Sequence, residues 1–206
     1  VQVTVDPQND DPILDEIPNV SFPEDQTFDQ AFTVSDPEGD FLIYDCTRST
    51  HIDCTINSSE ISFNPDPDWN GMETINVSII DGNGGEATQN IVVTVTSVND
   101  PPVLNNIADI TLDEDDVYTQ QVSANDVDGD NLTYGCTPET NDISCDIDET
   151  QEMTITPDPD WNGTVNITVV VIDGNTGQDS QIVQVTVDPQ NDDPILDEIP
   201  NVSFPE

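Results

Sequence analysis

Apolar and polar residues alternate along most of the chain in short runs. Val1-Val3-Val5, Phe28-Gln30-Phe32-Val34, Ile75-Val77-Ile79 and Ile91-Val93-Val95 each keep one parity, the period-2 pattern of half-buried strands. Sixteen Pro and ten Gly punctuate these runs at the short spacing expected of a sandwich, and no window carries a helical period. The pattern predicts an all-β chain. No stretch approaches the length of a membrane span, which argues against membrane insertion. No signal peptide precedes Val1, so the sequence reads as an internal piece of something longer.

Repetition organises the pattern. Residues 1–24 recur unchanged at 183–206, a period of 182. A diverged repeat lies inside it: NDDPIL at Asn9 and NDPPVL at Asn99, DPEGDFLIYDCT at Asp36 and DVDGDNLTYGCT at Asp126, PDPDWNG at Pro65 and Pro157, DGNGG at Asp81 and DGNTG at Asp173. The expected units are 9–98 and 99–190, each the size of one small sandwich domain. Residues 1–8 read as the last strand of a preceding repeat and 191–206 as the start of the next. The implied A-B-A-B linear array is either one tandem-repeat polypeptide or a filament of overlapping units, stabilised by each domain and each junction.

Composition changes what such an array can do. There are 44 Asp and Glu against one Arg and no Lys, a net charge of −43. Nucleic-acid binding and docking on anionic lipid both need clustered cations and are excluded. The missing lysines also exclude Schiff-base chemistry and phosphate cradling by a P-loop. A single His, His51, without a Ser or Cys partner constellation gives no hydrolytic triad, so no enzyme is expected.

The sequences VTVDPQNDDPIL and VTVTSVNDPPVL, each a strand end followed by Asn-Asp-Pro, resemble the cadherin linker and the cadherin-like tandem repeats of bacterial and archaeal surface proteins. The resemblance spans the whole chain. It implies calcium bound between successive domains by Asp6, Asn9, Asp10, Asn99, Asp100, Asp188, Asn191 and Asp192 of the linkers. Glu24 and Glu114 follow the linkers, Asp36 with Glu38 and Asp126 with Asp128 form the acidic turns, Asp66/Asp68 and Asp158/Asp160 lie mid-domain, and Asp81 and Asp173 come late. Calcium chemistry agrees with this set independently, since Ca2+ takes six to eight oxygen ligands and no soft ones. Neither acidic turn is an EF-hand loop, because its glycine comes at the fourth position. The competing reading is plain acidic surface, as in a halophile, with Asp acting as a turn former; Asp15, Glu16, Glu60, Glu86, Asp109, Glu149 and Glu152 are assigned to it. Thr96 stands where the other junction has Asp188, which predicts fewer or weaker ions at the 96–101 junction.

Cys46/Cys54 and Cys136/Cys145 are eight and nine residues apart. Disulfides within each domain are predicted, implying an oxidising, exported setting; zinc would lack ligands, with two Cys per domain and one His in the chain. Such short loops suggest a bridge that trims a loop rather than holding the fold, unlike the widely separated cysteines of an immunoglobulin domain. Asn19, Asn57, Asn76, Asn131, Asn162 and Asn166 head Asn-x-Ser/Thr sequons, with Asn201 repeating Asn19. Asn76 and Asn166 sit among alternating apolar residues and should face solvent. Trp69 and Trp161 follow PDPD; packing onto the sandwich end is favoured over sugar stacking.

Two functions fit. The favoured one is an extracellular, cell-surface filament or adhesin stalk of calcium-rigidified repeats whose partners are its own neighbours, any cell-surface or glycan ligand lying outside this window. The other is an adhesive module whose repeats bind homophilically or through glycans; no recurring apolar groove supports it.

Overall fold

The computed structural model describes residues 8–192. The strand expected at Val1–Val5, Asp6, the renewed repeat beyond Asp192 and Asn201 lie outside the described residues. The chain divides into two compact units, Val1–Val98 and Asn99–Glu206. No helix occurs among the described residues.

In the first unit the strands are β1 (Ile13–Leu14), β2 (Val20–Pro23), β3 (Phe28–Ala31), β4 (Val34–Ser35), β5 (Ile43–Cys46), β6 (Ile52–Ile56), β7 (Glu60–Pro65), β8 (Gly71–Ile80) and β9 (Glu86–Thr96). One sheet has the order β2-β9-β8-β5, a second has β3-β7-β6, and β1 pairs with β4. The long hairpin β8–β9 runs in register from Gly71↔Val95 to Ile80↔Glu86. Its β-branched residues alternate, so Ile75, Val77, Ile79, Ile91 and Val93 are all fully buried, while Thr and Asn point out. Ile52, Ile61 and Phe63 of the second sheet meet them in one core; each such side chain contributes about 1.5–3 kcal/mol by leaving water.

The run from Phe28 to Val34 is not one strand. β3 pairs with β7 and β4 with β1, and between them the Phe32 N–H bonds Ser59 O at 3.0 Å. The chain changes partners there, yet Phe32 stays buried. The apolar alternation records which face is buried and carries no record of which strand lies alongside.

The second unit repeats this plan: β10 (Val103–Leu104), β11 (Ile110–Asp113), β12 (Tyr118–Gln121), β13 (Ala124–Asn125), β14 (Thr133–Pro138), β15 (Ile143–Ile147), β16 (Glu152–Pro157), β17 (Gly163–Ile172) and β18 (Gln178–Asp188). Its sheets are β11-β18-β17-β14 and β12-β16-β15, with β10 on β13. β2 and β11 are parallel to β9 and β18, which places Glu24 and Glu114, one residue beyond them, next to the strand ends at Thr96 and Asp188.

Both disulfides form, Cys46–Cys54 and Cys136–Cys145. Their position corrects the expectation of a loop trim. Cys46 lies on β5 and Cys54 on β6, the edge strands of different sheets, and Cys136 on β14 and Cys145 on β15 repeat this. Each bridge therefore ties one sheet to the other at the sandwich edge. Short sequence separation hid this, because β5 and β6 are consecutive strands that belong to opposite sheets. Trp69 and Trp161 pack against the two cores. A Cβ at Gly71 would come 2.6 Å from the Trp69 ring, and one at Gly163 would come 3.1 Å from that of Trp161, so the glycine after each Trp-Asn makes room for the indole.

Candidate metal centre

Four charged side chains are buried among the described residues: Glu24 (2% exposed), Asp81 (4%), Glu114 (5%) and Asp173 (5%). They occupy equivalent places in the two units, and every hydrogen bond they accept comes from a neutral donor. Asp81 Oδ1 accepts from the N–H groups of Asn83 (2.7 Å) and Gly85 (3.0 Å), and its Oδ2 from Asn9 Nδ2 (2.6 Å). Asp173 does the same with Asn175 (2.6 Å), Gly177 (3.0 Å) and Asn99 (2.8 Å). Glu24 accepts from Val98 N–H at 2.6 Å and Asn70 Nδ2 at 3.4 Å. Glu114 accepts from Gln190 N–H at 2.6 Å and Asn162 Nδ2 at 3.0 Å. The single Arg, Arg48, pairs with the exposed Asp53 instead.

The Asp81 turn joins β8 to β9, and the Asp36–Asp40 loop folds beside it. Asp36 Oδ1 accepts from Glu38 N–H and Asp40 N–H, both at 2.9 Å, which closes the turn. Asp40 Oδ2 accepts from Asn83 Nδ2 at 2.8 Å. Asp36, Asp40 and Asp81 thus offer three carboxylate oxygens within 4.8 Å of one another, as do Asp126, Asp130 and Asp173 in the second unit. The side-chain bond from Asn9, followed by backbone N–H bonds, holds Asp81 below its ordinary pKa despite burial; the bond from Asn99 leads the same effect on Asp173. Both therefore stay ionised to lower pH than an unperturbed aspartate. Gly177 permits the close turn: a Cβ there would lie 2.8 Å from Pro101 Cα and run into Asp173.

A second acidic group of the second unit lies where β18 ends. Asp115, Asp160 and Asp192 also place oxygens within 4.8 Å of one another. Desolvation, then the charges of Asp160, Glu114 and Asp115, raise the pKa of Asp192.

Not every residue of the expected set enters these groups. Glu38 and Asp128 accept the N–H groups of Asp10 (3.3 Å) and Asp100 (2.8 Å), fastening the segment that opens each unit. Asp66 faces His51 Nδ1 at 3.2 Å, and the Asp66 and Asp158 carbonyls accept from Trp69 and Trp161. Asp68 N–H bonds Asp25 at 3.0 Å; Asp160, by contrast, belongs to the group with Asp115 and Asp192 and also donates its N–H to Asp115 at 3.1 Å. Asn191 Nδ2 donates to Asp192 O at 3.1 Å. Asp188, exposed, gives its carbonyl to Glu114 N–H (2.9 Å), as Thr96 does to Glu24 (3.0 Å). Asp40, Asp130, Asp25 and Asp115 were not expected from the sequence, although each recurs in register as the last Asp of DPEGD and DVDGD or beside Glu24 and Glu114.

The donors present fit a hard divalent cation. All are oxygens, and two ligands of one Ca2+ at about 2.3–2.6 Å each stand no more than about 5 Å apart. Asp36 Oδ2 and Asp126 Oδ2 are buried oxygens without a hydrogen-bond partner, a condition native proteins rarely tolerate unless an ion or water takes the lone pairs.

Comparison with known proteins bears on the fold. No curated protein sequence matches the chain. Among solved structures, the extracellular cadherin domains 1–5 of protocadherin gamma B2 superpose with a TM-score of 0.53 at 18% identity, over 88% of this chain and 40% of that one. Domains EC1-2 of human mucin-like protocadherin give 0.48 at 14% identity, over 87% and 98%. The endo-fucoidan hydrolase MfFcnA4 gives 0.40 at 18%, and the chain spans 30% of its length. The bacterial Ig domain model matches residues 9–94 and again 99–186. With two tandem all-β sandwiches matched over most of its length, the chain belongs to the bacterial Ig domain family.

Proposed function

We propose that the chain is a calcium-stiffened repeat of an extracellular filament or adhesin stalk, acting as a spacer between a cell and a surface or a second cell. One observation carries the reading. Four carboxylates, two per domain, are buried against neutral N–H donors in a chain with no cation to spare for them. A buried carboxylate is costly without a counter-charge, and a divalent ion supplies one from outside. Repulsion among the acidic groups at the domain ends loosens the tandem chain when no ion is bound, and bound ions reverse that interaction. The two disulfides fit an oxidising, exported setting.

Calcium titration of chelator-treated protein, followed by calorimetry, tests the proposal: saturable uptake of more than one ion per chain is expected, with Mg2+ a poor substitute because it demands a tighter octahedron. Absence of saturable uptake up to several millimolar calcium rejects it. One feature favours an adhesive role for the first unit. Phe41 is 84% exposed near Ile43 and Ile80, which pair across β5 and β8, whereas the second unit has Asn131 and Thr133 in the places of Phe41 and Ile43.

A further inference from the structure

Two sequons, Asn76-Val77-Ser78 and Asn166-Ile167-Thr168, lie mid-strand on β8 and β17. Val77 and Ile167 are fully buried, so in each case the Asn and the hydroxyl residue point together out of the four-stranded sheet. The central strands of that outer face are largely neutral. The outward positions of β8 from Met72 to Ile80, of β17 from Thr164 to Ile172 and of β18 from Gln178 to Thr186 carry no Asp or Glu, whereas in the first unit Asp45 of β5 lies opposite Ser78 and Glu86 of β9 accepts the Ser78 hydroxyl at 2.7 Å. The face also holds apolar surface with nothing over it. Ile182 is 64% exposed, directly opposite Thr168 and one cross-strand pair away from Asn166↔Gln184. Val92, half-buried, lies on the other diagonal of the Asn76↔Asn90 pair, opposite Thr74. Such diagonal neighbours are about 7–8 Å apart, within reach of a group attached to the Asn.

We propose that Asn76 and Asn166 carry N-linked glycans whose first sugars lie over this outer face and cover Val92 and Ile182. The donor is a lipid-linked diphospho-oligosaccharide. The amide nitrogen bonds the anomeric carbon, the carbon–oxygen bond to diphosphate breaks with its electron pair leaving on the lipid diphosphate, and the nitrogen gives up one proton. The product amide keeps one N–H. That N–H suffices for the bonds seen now, Asn76 Nδ2 to Asn90 Oδ1 at 2.9 Å and Asn166 Nδ2 to Glu139 Oε2 at 3.2 Å. The sequon at Asn162 is different: its Nδ2 is turned onto the buried Glu114 carboxylate at 3.0 Å, where a sugar would crowd a carboxylate that is 5% exposed.

Peptide mapping by mass spectrometry of the protein purified from the organism that makes it tests the proposal. Sugar-bearing peptides are expected at Asn76 and Asn166, with Asn162 bare. In a Thr168→Val strain, sugar should be lost from Asn166 and kept at Asn76. A bare Asn76, a bare Asn166, sugar on Asn162, or sugar persisting on Asn166 in the Thr168→Val protein overturns it.

Discussion

Adding calcium to the chelator-treated protein is expected to raise its thermal unfolding midpoint by about 10–20 °C per domain. An ion that binds only the folded state at a hundred times its dissociation constant stabilises by about 2.7 kcal/mol. For a domain of this size each kcal/mol moves the midpoint by about 4–8 °C. The effect should be large because the folded protein gathers what the unfolded chain keeps apart: Asp36 and Asp40 of one loop and Asp81 of a sequence-distant turn present oxygens within 4.8 Å of one another. Differential scanning calorimetry in excess chelator and in millimolar calcium checks it. Coincident transitions would mean that the buried carboxylates are served by their N–H donors alone.

Asp36→Asn combined with Asp126→Asn should weaken calcium binding at least tenfold, about 1.4 kcal/mol, while leaving stability in chelator unchanged or raised. The two oxygens of each aspartate have different roles. Asp36 Oδ1 closes the turn through Glu38 and Asp40, and Asp126 Oδ1 accepts from Asp130 N–H at 3.1 Å. An asparagine carbonyl can keep those bonds. The buried Oδ2 atoms have no hydrogen-bond partner; there the substitution puts an amide whose protons face the cation, and one negative charge is lost from each group. Calorimetric titration reads the affinity and a thermal scan in chelator reads the turn. An undiminished affinity would place the ions elsewhere, whereas a fall in chelator stability would show the aspartates to be turn formers only.

The sandwich was legible because its core strands obey the simplest periodic rule. Ile75-Val77-Ile79 and Ile91-Val93-Val95 alternate without interruption, and the structure buries all six. What the rule does not encode is pairing. Ala31 to Val34 changes neighbours without breaking the alternation, and the sheet-to-sheet position of the disulfides depends on which sheet β5 and β6 join. The carboxylates were legible through repetition, since Glu24, Asp81, Glu114 and Asp173 recur in register. Their partners were not. Asp40 and Asp130 are the closing residues of turns whose first Asp attracts attention, and Asn83 and Asn175 reach them only after the β8–β9 and β17–β18 turns fold back.

The central claim is mechanical, that divalent ions convert a loose tandem chain into a stiff one. Small-angle X-ray scattering of the same sample in calcium and then in excess chelator measures it most directly. The account predicts a longer maximum dimension and a rod-like scattering regime in calcium, both lost on chelation and recovered when calcium is returned. Superimposable curves in the two conditions would contradict it.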